Sequence, residues 1–252
     1  YNFFENLSFI NSDSAKIIYS HSDSDIFYYY TMFKDIKQNT KRSGTLQKIG
    51  KPQMKAIITT LEELHRHLPL ERKAIFVMPF IDFPQASKAT EIFSIRANSD
   101  DGVLLAIHDV HKLGFVHIVN EVFKLTSSEL FGYFASDAFP CRRWLELSIA
   151  SFSNHDIGLL SYNDGKWLGN LAGFGLVMRS WLANFYTDSL FFAGYKSHYG
   201  DTELSVLAHA TKKLGYNPNI VVMEVDYDKD SKSVDVNDKH LSLIHISEPT
   251  RR

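Results

Sequence analysis

Four short apolar runs, "KAIFVMPFI" (73–81), "EIFSIRA" (91–97), "GVLLAIH" (102–108) and "LFGYF" (130–134), each bounded by Pro, Asn, Asp or Gly, most constrain this chain. Runs of this length and apolarity are what strands covered on both faces look like. Between and after them the period changes. Phe115, Ile118, Val119 and Val122 predict a helix over 114–124, and Cys141, Trp144, Leu145, Ser148, Ile149 and Phe152 predict a second that starts close to Pro140. Later come a strand-like "IGLLS" (157–161), a Gly-rich stretch ending in "GLVM", a helix over "TELSVLAHATKKLG" and a strand over "NIVVMEV" (219–225). Strands alternating with helices imply an α/β sheet protein. Upstream, Met54, Ile57, Ile58, Leu61, Leu64 and Leu68 share a helical face before Pro69, which predicts an amphipathic helix over 54–69.

The domain organisation expected is an N-terminal segment over 1–50, a main domain over 51–228 and a charged, poorly packed tail over 229–252. Within the first segment "AKIIYS" reads as a strand and "DIFYYYTMFKDIK" as a helix whose aromatic stripe is packing surface. Tyr1 is not an initiator methionine, so the natural beginning is expected upstream. "LSLIHISEPTR" (241–251) resembles a translated transposase-type sequencing adapter, which places the natural end near His240.

Composition removes several function classes. A net charge of −2 gives no general attraction to nucleic acid or anionic lipid. The longest apolar run, "IFVMPFI", is far short of the roughly 20 residues that a membrane-spanning helix needs. Cys141 is the only cysteine, which excludes an internal disulfide and fits a reducing, cytoplasmic setting. In "GNLAGFG" the glycines have the wrong spacing for a phosphate or dinucleotide loop.

The run "LFGYFASDAFP" (130–140) ends on an acid, Asp137, preceded by Ser136. In open α/β sheets ligands bind beyond the carboxyl ends of the strands, so an acid there stands at the rim of a site and can hold a divalent cation against a diphosphate. An Asp at a strand-to-helix junction also serves as a helix N-cap, and both readings stand at this point.

Three stretches in order carry a resemblance. "LGFVHIVNEVFKLTSSELFGYFASDAFPCRRWLE" (113–146) has Gly114, Phe115, Asn120, Asp137, Pro140 and Trp144; "LAGFGLVMRSWL" joins a Gly-rich strand to an Arg and a helix; "HYGDTELSVLAHATKKLGY" sets Asp201 just before a helix ending in Lys-x-x-Gly-Tyr. Together they resemble the family 2 glycosyltransferases. That resemblance implies a GT-A-type, Rossmann-like fold with a mixed, mostly parallel sheet flanked by helices. It also implies a nucleotide-diphosphate sugar as donor, a Mg or Mn ion, a glycan, lipid-linked or protein acceptor, and inversion at the anomeric carbon. Asp137 would match the metal-binding second acid of Asp-x-Asp, although Ala135 replaces the first; Asp201 would match the catalytic base. Asn120 and Ser136 would lie along the donor. Asp100 or Asp101 would contact its base or ribose, and Glu224 or Asp226 would stand in for a late metal-binding His.

Two rival readings remain. His21, Asp23, His108 and His111 could form a metal-dependent hydrolase or phosphoesterase site, with Asp23 and Asp25 making a literal Asp-x-Asp. A non-catalytic binding protein on the same fold is the other. Trp144 and Trp181 read as core, with Trp181 a candidate for the acceptor cleft, and the Asp201 carboxylate could be only a helix cap.

Overall fold

The structure, a computed structural model, describes residues 52–154 and 156–224. The expectations over 1–50, His21, Asp23, Asp25, Asp226 and the tail lie outside the described residues. A sheet of eight strands forms the body, in the order β1-β3-β2-β4-β7-β6-β8-β5. Its strands are β1 (Lys55–Thr59), β2 (Ala74–Phe80), β3 (Gly102–His108), β4 (Leu130–Tyr133), β5 (Ala138–Pro140), β6 (Leu159–Asn163), β7 (Gly175–Met178) and β8 (Leu214–Glu224). All but β5 and β7 run in one direction. The sheet is therefore mixed and mostly parallel, as expected.

Helices α1 (Phe83–Arg96), α2 (Phe115–Leu125), α3 (Trp144–Asn154) and α5 (Gly200–Ala210), with the single turn α4 (Arg179–Leu182), cover the sheet. Side-chain alternation along the strands sorts the core into two layers. Phe76, Met78, Leu104 and Ala106 meet Ala89 and Phe93 of α1 and Trp144 of α3 on one face. Ile75, Val77, Leu105 and Ile107 meet Val119 of α2 and Leu204 of α5 on the other. No helix among the described residues is long and apolar enough to cross a membrane.

Three local expectations are corrected. Residues 55–59 are a strand, not a helix, because Ile57, Ile58, Thr59 and Thr60 are consecutive β-branched residues and the segment has β3 to pair with. "EIFSIRA" is the last half of α1, not a strand. Asp82 caps that helix by accepting the Gln85 amide at 2.9 Å, a proline sits in the first turn, and Ala86, Ala89, Thr90 and Phe93 repeat at helical spacing from upstream of the β-like window into it. Pro140 belongs to β5, so α3 begins later, at Trp144.

Trp144 is fully buried, donates Nε1–H to the Phe93 carbonyl at 2.9 Å, and meets Phe76, Phe93 and Phe134 edge-on. Gly132 lets this cluster close, since a Cβ there would stand 2.2 Å from the Phe76 ring. Trp144→Ala opens a cavity and orphans that carbonyl, so it should cost about 3–5 kcal/mol, a large share of the roughly 5–15 kcal/mol of a typical domain. Urea unfolding followed by circular dichroism measures the loss.

Candidate active site

Because six strands share one direction, their carboxyl ends collect at one pole: Thr59, Phe80, His108, Tyr133, Asn163 and Glu224 all finish there. The hairpin turn between β6 and β7 opens at the same pole, since Gly175 at the start of β7 stands opposite Tyr133.

Asp137 lies in the turn after β4, closed by the Ala138 amide donating to the Ala135 carbonyl at 3.1 Å, with Ser136 beside it. Asp137 is 1% exposed and Ser136 9%. No helix starts at this point, so the N-cap reading of Asp137 falls and the acid belongs to a turn held at the strand end. Glu224 ends the neighbouring strand β8. It faces Ala138 in the β5–β8 register, and the Lys166 ammonium reaches its carboxylate at 3.1 Å.

Asp201 arrives from the other side, in the first turn of α5. The N-cap position is held by Tyr199 in the left-handed conformation (φ 66°), and the Asp201 Oδ1 accepts the adjacent Thr202 amide at 2.8 Å, not an amide two or three residues further along. It is therefore not a conventional cap. A relay fixes its backbone to the pole. The Ser205 hydroxyl donates to the Asp201 carbonyl at 2.7 Å and accepts the Ala172 amide at 2.9 Å, and the Ala172 carbonyl accepts the Tyr133 phenol at 2.5 Å. Burial pushes the Asp201 carboxyl above the ordinary aspartate range, with the Thr202 amide and His198 acting the other way. The Tyr133 phenol is held well above its usual value, first by burial and then by the nearby charge of Asp201.

Two sequence-based assignments are corrected. Asp100 and Asp101 precede β3, at the amino end of the sheet, where they share an exposed charged hollow with Glu71, Arg72 and Lys73. The seven residues of β3, at about 3.3 Å each, put roughly 20 Å between Asp101 and the carboxyl pole. The error follows from reading α1 as a strand. Asn120 is buried on α2 and spends its amide on the loop before α5: Oδ1 accepts the Leu190 and Phe191 amides at 3.0 Å each, and Nδ2 donates to the Phe191 carbonyl at 3.0 Å. It is a clamp for that loop, not a donor contact. Trp181 is core, as its sequence pattern indicates: it is 8% exposed, with Nε1 on the Thr211 hydroxyl at 3.3 Å and its ring against Gly158.

One acid at the pole was missed as part of this site. Asp109 directly follows β3; its Oδ1 accepts the Leu113 amide at 2.8 Å and its Oδ2 the Gly114 amide at 2.9 Å. Gly114 has φ 94° and lies so close to the Lys196 carbonyl that a Cβ would stand 3.0 Å away. Asp109 thus folds the β3–α2 loop against the loop that leads to Asp201. The sequence signal was the acid in "HDVH", which follows the same strand-end logic as Asp137.

The hydrolase set does not converge among the described residues. His108 stacks flat on Phe80 with ring centres 5.0 Å apart, while His111 pairs with the exposed Glu62 at 3.1 Å. Among the described residues no group of three or more His, Cys, Asp or Glu is placed to hold a metal by itself.

No family model matches the sequence, and a search of curated proteins gives no match. Among solved structures, the chain is similar to glucosyl-3-phosphoglycerate synthase from Mycobacterium tuberculosis in complex with Mg2+ and uridine-diphosphate, at 12% identity and TM-score 0.46, covering 77% of this chain and 85% of that one. It is also similar to mannosyltransferase PcManGT from Pyrobaculum calidifontis in complex with GDP-Man and Mn2+, at 14% identity and TM-score 0.45, covering 81% of this chain and 68% of that one.

Proposed function

We propose that the chain is a GT-A-type glycosyltransferase, moving a sugar from a nucleotide-diphosphate donor to a hydroxyl of a glycan, lipid-linked or protein acceptor in the cytoplasm. The observation that carries this reading is that Asp137 and Asp201, far apart in sequence, are gathered at the carboxyl pole of one mostly parallel sheet. Asp201 serves as base. Its carboxylate takes the proton of the acceptor hydroxyl as that oxygen bonds to the anomeric carbon from the face opposite the donor phosphate. The bond from carbon to phosphate oxygen breaks, the nucleoside diphosphate leaves with the electron pair, and the anomeric carbon is inverted.

The donor set fits a Mg or Mn ion that takes most of its ligands from substrate and water. Such an ion commonly uses one or two protein carboxylates plus phosphate oxygens; Asp137 would supply one, and Glu224, opposite Ala138 in the β5–β8 register, would supply a second. Bound there, the ion would neutralise charge on the departing diphosphate. Ser136, next to Asp137, would be a donor contact. Since Asp137 is 1% exposed, the reading requires this turn to open when the donor enters.

The test is release of UDP or GDP from a panel of UDP- and GDP-sugars with Mn2+, followed across pH. A base works only when ionised, and burial raises the Asp201 pKa. Activity should therefore rise with pH along an acidic limb above the ordinary aspartate range. A limb at the ordinary aspartate value, or no turnover of any donor, would count against the assignment.

A further inference from the structure

The turn between β6 and β7 contains the chain's one exposed indole: of three tryptophans, Trp144 is fully buried, Trp181 is 8% exposed and Trp167 is 51% exposed. A single exposed apolar side chain needs no explanation by itself. What sets Trp167 apart is how firmly its turn is held. Buried Asp164 accepts the Lys166 and Trp167 amides through one oxygen, at 2.9 Å each. The Trp167 carbonyl accepts the Asn170 amide at 2.9 Å, and the Asn170 carbonyl bonds to His209 of α5 at 3.0 Å. Gly169, with φ 83°, lies against the Tyr216 ring so closely that a Cβ would stand 2.3 Å from it. The indole and its equally exposed neighbour Leu168 are thus presented on a rigid mount.

That mount is continuous with the candidate site. Lys166, beside Trp167, reaches Glu224, which faces Ala138 next to Asp137, and the other end of the turn is Ala172, the link between Tyr133 and Ser205. An aromatic face carries partial negative charge, while one face of a pyranose ring presents C–H groups of partial positive charge and its edge presents hydroxyls. An exposed indole beside Asn170 and next in sequence to Lys166, whose ammonium holds Glu224, matches such a ring.

We infer that Trp167 is the acceptor platform, stacking a pyranose unit of an oligosaccharide acceptor at the mouth of the site. The inference deepens the transferase reading and rests on it. Because the other two indoles are buried, acrylamide quenching of tryptophan fluorescence reports Trp167. Cellotetraose, mannotetraose and chitotetraose are the probes, titrated singly into the full chain. At least one should protect the indole saturably. Trp167→Ala should abolish that protection and raise the KM for the same sugar as acceptor by about tenfold or more, with Mn2+-dependent UDP or GDP binding unchanged and Trp167→Phe recovering part of the loss. Unprotected Trp167 with all three sugars, or an unchanged acceptor KM in Trp167→Ala, overturns the platform even where nucleotide binding upholds the transferase reading. Protection by a tetrasaccharide in a folded protein that binds neither nucleotide would support Trp167 as a glycan contact while removing the transferase.

Discussion

Replacing Asp201 with Asn should lower the turnover of sugar transfer on the order of 10²–10⁴-fold while leaving the protein folded. The amide oxygen of Asn can still accept the Thr202 N–H, and the relay from Ser205 to Ala172 uses the residue 201 carbonyl, which the substitution keeps. What disappears is the group that, in the proposed reading, would receive the acceptor proton. Nucleotide binding should change little, so the loss should fall on kcat. Stability gives an independent check. Burial raises the Asp201 pKa in the folded state, so the folded protein binds this proton more tightly than the unfolded chain. Stability should therefore fall as pH rises from the ordinary aspartate value through the raised one. Asn removes that dependence, and the variant should be no less stable than the parent near neutral pH.

Much of the fold was legible in the residues. β3 coincides with the run "GVLLAIH", and α2 with the period of Phe115, Ile118, Val119 and Val122, because both bury what the pattern shows. The failures share a cause. In "EIFSIRA" a local apolar window outweighed a helix start nine residues earlier, at Asp82 and Pro84. That one misreading turned the sheet end for end around Asp100 and Asp101. Residues 55–59 show the converse, where helical spacing coincided with a β-branched run and the neighbouring strand decided the outcome. Asn120 could not be read from sequence, because its partners, Leu190 and Phe191, lie about 70 residues further along the chain.

The role of Asp137 carries the account. In the proposed reading this buried acid, in a turn at the strand end and one residue before Ala138, which faces Glu224, would hold a hard cation against a diphosphate. Altering groups one shell outside a metal commonly costs about 10–100-fold in affinity, so removing a direct ligand should cost on the order of 100-fold or more. Asp137→Asn keeps the side chain's shape and guards against an unfolded Asp137→Ala, with thermal melting as the control for both. The decisive measurement is calorimetric titration of UDP and GDP, with and without Mn2+, into the parent chain and these two variants. Binding of one nucleotide that needs Mn2+ and is lost in both folded variants is the predicted result. A folded parent that binds neither nucleotide, or variants that bind as well as the parent, would contradict it.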